Sequence, residues 1–211
     1  MNVFENRFLQ AILIACERMP AYRDELCKLD SFIGDGDHGV TIERGFRSVA
    51  EAGLTSDMAP DVFFSRLSQT LSANMGGAIG PIYGLLFNGF AAALKGAQEI
   101  DAALLSKAFA EGTRMVMQFA RVKPGEKTIL DAMLPLGKGL EECAGMTLES
   151  ALDSALESGR EGVRATASMV ATKGRARFLK ERSLGYEDPG AASFVRFVEE
   201  VNQALKGENH A

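Results

Sequence analysis

Apolar residues recur every three or four positions along most of this 211-residue chain, and that period restricts its fold more than any other feature. The repeat near the N-terminus is typical, since Phe4, Phe8, Ile12, Cys16 and Met19 would share one face of a helix. No segment alternates apolar and polar residues as an exposed strand does, and continuous Val/Ile runs are absent. The sequence therefore predicts an all-α protein of about eight or nine helices.

Short polar or glycine-rich turns separate the predicted helices. If the helices run up and down, these turns can gather at one end of the molecule. The first predicted helix ends before Pro20, and a short second helix leads into an acidic turn. The helices after the first are predicted at about 21–29, 38–50, 59–73, 77–95, 101–120, 129–143, 147–172 and 190–206.

Length, charge and cysteine spacing exclude several classes of protein. With 211 residues, 46% of them hydrophobic, the chain can form one domain with a buried core, predicted over 1–211. A net charge of −5 without a lysine- or arginine-rich stripe argues against nucleic-acid binding. The cysteines lack CxxC spacing, and the N-terminus lacks the basic-then-apolar order of a signal peptide. We therefore expect a cytoplasmic protein with reduced thiols.

One long segment, 67–94, carries no charge and must be considered as a membrane span. It contains five glycines, Pro81 and several uncharged polar residues. It is therefore not the continuous apolar stretch of about 20 residues that a membrane helix needs. The sequence predicts buried, closely packed helices here and no membrane partner.

The segment GDGDHG at 34–39, preceded by Asp30, places three carboxylates and a histidine close together. A calcium EF-hand loop that begins at Asp35 fails, because its fifth position is Gly39 and its twelfth is Phe46. Three interpretations remain: an acidic turn that caps the next helix, a haloacid-dehalogenase-type phosphatase site that follows a buried strand, and a magnesium site for nucleotide phosphates. Capping explains one aspartate and not three.

Two further turns suit an anion such as phosphate. The glycine-rich NMGGAIG at 74–80 opens a helix, so its free backbone amides could bind an anion, although close helix packing also explains the glycines. The segment TKGRAR supplies Lys173, Arg175 and Arg177, which by themselves fit a basic helix C-terminus. A Walker loop is absent, because Gly139 follows the Gly-Lys pair where serine or threonine is required.

Taken in order, these turns resemble the L (nucleotide-binding) subunit of dihydroxyacetone kinase, the DhaL or DAK2-domain family. The resemblance spans nearly the whole chain with similar spacing. It rests on D-x4-D-x-D-H-G at 30–39, G-G-A-x-G-P at 76–81, K-P-G-E-K-T-x2-D at 123–131, K-G-R-A at 173–176 and the D-P-G that ends 185–190.

This resemblance implies an antiparallel eight-helix barrel that binds ADP or ATP at one end through two Mg²⁺ ions. By position, Asp30, Asp35 and Asp37 match the family's metal ligands. No catalytic residue is implied beyond this metal and nucleotide site. The nucleotide contacts are expected at His38, Gly39, Val40, Thr41, Gly77, Ala78, Ile79, Ile129, Arg175, Asp188, Pro189 and Gly190.

The chain departs from the family pattern at one of these positions. Ile79 follows Gly-Gly-Ala where the family usually has serine or threonine. A polar side-chain contact is lost there, while the backbone amides remain.

Members of the family bind dihydroxyacetone covalently through a histidine of a separate K subunit or domain. This chain has two histidines, His38 in the acidic turn and His210 beside the C-terminus, and neither is placed to supply that anchor. The predicted function is therefore the nucleotide-binding subunit of a triose or tetrose ketone kinase that needs a K partner. The donor is ATP, or a phosphotransferase-system M subunit that acts on bound ADP, and a homodimer is a further expectation. The alternatives are a nucleotide-bound regulatory module without turnover and the phosphatase.

Overall fold

The computed structural model describes residues 6–207, and every regular element within that range is a helix. The all-α prediction is confirmed, and the described residues contain no strand on which a phosphatase site could be built. Phe4 and His210 lie outside the described range. The α-helices are α1 Arg7–Arg18, α2 Arg23–Ser31, α3 His38–Glu51, α4 Pro60–Asn74, α5 Ile79–Ala93, α6 Ala102–Ala120, α7 Leu130–Glu142, α8 Leu148–Thr166 and α9 Pro189–Lys206, with 3₁₀ helices at Met19–Tyr22 and Ala176–Ser183.

Local capping chemistry places most of the helix starts. The side chain of Asn6 accepts hydrogen bonds from the first amides of α1, and Asp101 and Thr147 do the same for α6 and α8. Helices α4 and α9 begin at Pro60 and Pro189, where the missing N–H of proline costs nothing. These starts therefore agree with the sequence prediction to within a few residues.

The predicted helix 147–172 ends earlier than expected, at Thr166. The residues that follow have other hydrogen-bond partners. The amide of Ala171 donates to the hydroxyl of Ser183 at 3.0 Å, and the carbonyls of Thr166 and Met169 accept from the side chain of Lys127. The second 3₁₀ helix, which was not predicted, follows in this segment. The late predicted end of α8 and the missed 3₁₀ helix have the same cause, because the hydrogen-bond partners in this segment are not neighbours in the sequence.

Each helix from α3 to α9 packs against the next one along the chain, and α9 packs back against α1. Helix α1 also contacts α3, while α2 lies against α3 and α9. Phe64, Phe87 and Phe197 belong to a single cluster of buried apolar side chains drawn from all nine α-helices of residues 6–207, to which the short α2 contributes Leu26. The turns between the helices are thus held on one continuous core.

The uncharged segment 67–94 forms most of α4 and α5. Glycines allow α5 to approach α6 closely, because a Cβ on Gly89 would lie 2.3 Å from the Cα of Gly112. Across the described part of the chain, no helix combines the length and the apolar character needed to cross a bilayer. The expectation of closely packed helices in this segment is confirmed.

Candidate metal and nucleotide site

The acidic turn joins the end of α2 to the start of α3. Asp30, Asp35 and Asp37 each offer a carboxylate oxygen, and these oxygens all lie within 4.8 Å of one another. Two glycines make the turn feasible: a Cβ on Gly34 would lie 2.1 Å from Oδ1 of Asp30, and Gly36 has a φ of 76°. Three carboxylate oxygens without nitrogen or sulfur suit a hard cation such as Mg²⁺.

Arg175, which lies in the segment after α8 and far from the acidic turn in the sequence, contacts this turn. Its Nη1 atom contacts Oδ2 of Asp35 and lies 3.4 Å from Oδ1 of Asp37. The three side chains are 45–60% exposed, so the pairing adds little to stability. The pairing instead places the guanidinium of Arg175 beside the three carboxylates. A phosphate bound there through a metal ion would also need this positive charge.

His38, the first residue of α3, turns its side chain into the protein. Its Nε2 atom lies 2.9 Å from the hydroxyl of Ser193, and the imidazole also hydrogen-bonds the backbone of Pro189. Burial lowers the pKa of His38, although the negative charge of Asp30 opposes this shift. The backbone amide of His38, in contrast, donates to Oδ2 of Asp30 at 3.3 Å. The amide, and not the imidazole, is therefore the part of His38 that faces the acidic turn.

Gly39 fixes how α3 leaves the turn. A Cβ on this residue would lie 1.9 Å from the carbonyl oxygen of Arg23 and 2.8 Å from Sγ of Cys27, both on α2. Of the next two predicted contacts, Val40 is 40% exposed and Thr41 is buried. The start of α3 is therefore pressed against α2, which holds the acidic turn in a fixed place.

The glycine-rich turn before α5 lies beside α3. A Cβ on Gly76 would be 2.9 Å from Nη2 of Arg44 and 3.8 Å from Oγ1 of Thr41. Gly77 has a φ of 63°, and α5 begins after Ala78 without a side-chain cap, which leaves its first amides available to an anion.

The side chains of Ile79 and Arg44 also shape the region around this turn. Ile79 is partly buried and packs against the apolar core, so core contacts occupy the side chain where the family usually has a hydroxyl. Arg44 was missed, although its position three residues after Thr41 places both on one face of α3. Its Nε atom donates to the carbonyl of Asn74 at 2.7 Å and so ties α3 to the glycine-rich turn.

The remaining predicted contacts meet between α7, α8 and α9. Ile129 lies at the start of α7, and its Cβ would be 3.6 Å from a Cβ on Gly190. Asp188 caps α9 by accepting from the amide of Ala191 at 2.8 Å, and its own amide donates to Oγ1 of Thr166 at 2.9 Å. Burial raises the pKa of Asp188 to about 7. An apolar contact between Ile129 and Gly190 thus lies beside the carboxyl group of Asp188.

Two contacts connect this second region to the acidic turn. His38 binds Ser193 and Pro189 of α9, as described above. Phe32 of the turn stacks on Tyr186, with ring centroids 4.8 Å apart. Phe32 and Tyr186 were also missed, because nothing in either local sequence indicates its distant partner. Through these contacts the predicted metal ligands, the start of α3 and the loop before α9 form one connected group.

Comparison with known proteins identifies related chains over most of this length. Residues 32–203 match the family model of the DAK2 domain. The ADP-binding subunit DhaL of the PEP-dependent dihydroxyacetone kinase of Escherichia coli (strain K12) is 34% identical over 185 residues, which cover 86% of this chain and 88% of that subunit. The L-erythrulose kinase of Pectobacterium atrosepticum is 31% identical over 87% of this chain, but the aligned part is only 32% of that longer enzyme.

A solved structure shows the same fold at lower sequence identity. The dihydroxyacetone kinase of C. freundii, in complex with AMP-PNP and Mg²⁺, superimposes with a TM-score of 0.72 at 19% identity. The similarity covers 92% of this chain and 33% of that enzyme. The helical arrangement described above therefore also occurs as one part of a larger protein.

Proposed function

This chain belongs to the DAK2-domain family, and we propose that it is the nucleotide-binding subunit of a dihydroxyacetone-type ketone kinase. In this role it transfers phosphate from a magnesium nucleotide to a triose or tetrose ketone held by a separate K subunit. Its similarity to an ADP-binding subunit over nearly the full length of both chains supports the proposal. The observation that carries it is the acidic turn, where three carboxylates converge beside Arg175.

We assign Asp30, Asp35 and Asp37 as the ligands of two Mg²⁺ ions. The structure fits this assignment, since it brings three hard oxygen donors together on a turn that glycines keep open. When bound, Mg²⁺ supplies positive charge that neutralises the phosphates of ADP or ATP. Three carboxylates so close together repel one another, and Arg175 offsets that repulsion in the absence of metal.

The nucleotide contacts come from backbone and apolar groups of this chain. The amides at the start of α5, after Gly77 and Ala78, and the guanidinium of Arg175 suit phosphate oxygens. Ile129, Pro189 and Gly190 suit the apolar faces of adenine, because they are apolar and lie together at the starts of α7 and α9. His38, Gly39, Val40 and Thr41 complete the site through the start of α3, and Asp188 through the loop before α9.

The chain contributes position and charge to phosphoryl transfer, and the ketone must be held elsewhere. Phosphoryl transfer depends on alignment of the acceptor with the terminal phosphate and on neutralisation of developing charge. His38 is the only histidine in residues 6–207, and its imidazole is engaged with Ser193. A K subunit would therefore supply the ketone anchor.

The proposal extends to the arrangement of the helices and to the partners of this chain. Helices α1 and α3 to α9 would form the antiparallel eight-helix barrel of a single domain over 1–211, with α2 outside it. The closed order of helix contacts supports this arrangement. An M subunit of a phosphotransferase system and a second copy of this chain are further candidate partners. Since the reaction uses cellular nucleotide and the cysteines are free, we expect the complex in the cytoplasm.

Asp35→Asn tests the metal assignment. The substitution keeps the size of the side chain and removes one charged ligand, so affinity for ADP in Mg²⁺ should fall by about ten-fold or more. Titration calorimetry measures the affinity, and circular dichroism should show unchanged helix content. Asp24→Asn is the matched control, because the Asp24 side chain on α2 is 99% exposed and the change should leave ADP affinity unaltered. Equal ADP affinity of the wild-type chain in Mg²⁺ and in excess EDTA would refute the metal-dependent site.

A further inference from the structure

Lys127 is buried in a manner that is unusual for a lysine. Only 2% of the residue is exposed, and its φ of 59° lies in the left-handed region. It belongs to the turn between α6 and α7, and Asp131 of α7 accepts hydrogen bonds from the amides of Gly125 and Thr128 of this turn at 2.5 and 2.8 Å. These bonds fold the turn so that the side chain of Lys127 enters the protein instead of the solvent.

The ammonium group of Lys127 binds three backbone carbonyls from two other segments. Its Nζ atom donates to the carbonyls of Thr166 at 2.7 Å, Tyr186 at 2.5 Å and Met169 at 3.4 Å. Thr166 ends α8, where unpaired carbonyls and the helix dipole favour a positive charge. Tyr186 belongs to the loop before α9. One side chain therefore joins the turn before α7, the end of α8 and the loop before α9.

The charge of this lysine is balanced by dipoles and not by a direct ion pair. Within residues 6–207 no carboxylate lies within 4.0 Å of its Nζ atom. Burial lowers the pKa of Lys127, while the charge of Asp188 acts in the opposite direction. Removal of the ammonium would leave three carbonyls without this donor in the interior, which is costly.

The two loops that Lys127 joins carry a distinct part of the site. Ile129 follows Lys127 by two residues, and Asp188, Pro189 and Gly190 follow Tyr186. Ile129 and Gly190 lie in contact where these loops meet, since a Cβ on Gly190 would be 3.6 Å from the Cβ of Ile129. None of the proposed metal ligands belongs to either loop. A shift of one loop against the other would therefore separate Ile129 from Gly190 and leave the acidic turn unchanged.

We propose that Lys127 is a positioning residue for nucleotide binding. Its ammonium group fixes the loops 123–129 and 184–190 at the separation that lets Ile129 and Gly190 contact one face of the nucleotide. Lys127 acts through these loops and does not itself touch the nucleotide. This inference rests on the proposed function, because it concerns the same nucleotide site.

Lys127→Met tests the inference, since it keeps an unbranched apolar stem and removes the ammonium. We expect the Kd for Mg-ADP to rise by about ten-fold or more, measured well below the unfolding temperature. In hydrogen exchange, saturating Mg-ADP should protect both 30–41 and 184–190 in the wild-type chain. In the variant it should protect 30–41 and leave 184–190 unprotected. Lys107→Met, at an exposed position of α6, is the control and should behave as wild type.

The outcomes separate this inference from the proposed function. If the wild-type chain does not bind Mg-ADP, both fail. If the wild-type chain binds it and Lys127→Met binds equally well with full protection of 184–190, only the positioning role fails. A variant that melts earlier but keeps the wild-type Kd would show a purely structural role. If Lys127→Met does not fold, Lys127→Gln, which keeps a neutral donor for one of the three carbonyls, should give the same pattern, and a wild-type Kd there would also overturn the inference.

Discussion

Two opposing effects act on the pKa of Asp188. As the cap of α9 it accepts hydrogen bonds from backbone amides, which favours the charged carboxylate. Burial, together with the negative charge of Asp131, favours the neutral acid more strongly and raises the pKa to about 7. In the unfolded chain the same group has a pKa of about 3.9. The folded protein therefore holds a proton on Asp188 in a pH range where the unfolded chain has lost it.

This difference predicts a pH-dependent stability. Between the two pKa values the native state binds more protons than the unfolded state, so stability falls as the pH rises towards 7. Asp188→Asn removes the titration, and the free energy of unfolding of the wild type should therefore decline relative to this variant from about pH 5 to about pH 7. The slope should not exceed about 1.4 kcal/mol per pH unit. Urea denaturation of both nucleotide-free proteins measures it, and a difference that stays constant over this range would contradict the prediction.

The positions of residues whose partners are close in the sequence were easier to predict than those of residues whose partners are distant in it. The proximity of Asp30, Asp35 and Asp37 follows from their spacing on a glycine turn. The buried position of Lys127 does not, because its three acceptors lie 39 to 59 residues away. From the sequence a lysine is expected at the surface, and only the folded chain provides carbonyls that can hold its charge.

The same distinction holds for whole elements. Helix starts were predicted well, because a cap such as Asp101 or a proline such as Pro60 lies within one turn of the helix it begins. The end of α8 was not, because Lys127 and the amide of Gly185 bind the carbonyls of Thr166 and Ala167, which a longer helix would have used. Apolar periodicity persists beyond Thr166 and gives no sign of this competition.

A substitution at Gly39 tests the close contact between α3 and α2. Gly39→Ala should destabilise the fold by about 1–3 kcal/mol, because its Cβ would overlap the backbone carbonyl of Arg23 and force the helices apart. The acidic turn links these helices, so Mg-ADP affinity should fall as well. Chemical denaturation and titration calorimetry measure the two effects.

Gly145→Ala is the matched control for this substitution. A Cβ on Gly145 would have no atom within 4 Å, and its φ lies outside the left-handed region. Its effect on stability should be within about 0.5 kcal/mol. Equal effects of the two substitutions would show that the contact between α2 and α3 does not set the geometry of the turn.

At the scale of the whole molecule, the candidate site lies at a surface that another protein could cover. Phe178 is 70% exposed, Phe32 46% and Leu184 41%. Phe32 belongs to the acidic turn, and the other two lie between Arg175 and Tyr186, which both contact that turn. Arg177 and Lys180 are exposed in the same stretch as Phe178. Exposed aromatic side chains with arginine are typical of protein interfaces. This surface suits a partner that closes over the nucleotide and excludes water.

The last prediction concerns turnover, which we expect only when such a partner is present. The isolated chain should not phosphorylate dihydroxyacetone, because its one histidine in the described range is bound to Ser193 and so is not placed to hold the ketone. With a K subunit the acceptor hydroxyl is held in line with the terminal phosphate, and such positioning lowers the barrier by several kcal/mol. A coupled assay with and without the K subunit measures this, using ATP, phosphoenolpyruvate with phosphotransferase proteins, or neither as the donor. Robust turnover by the chain alone would refute the division of labour, and nucleotide binding without turnover in any arm would favour the regulatory module. Turnover with ATP only would exclude the phosphotransferase donor. It would also mean that the bound nucleotide exchanges in every catalytic cycle.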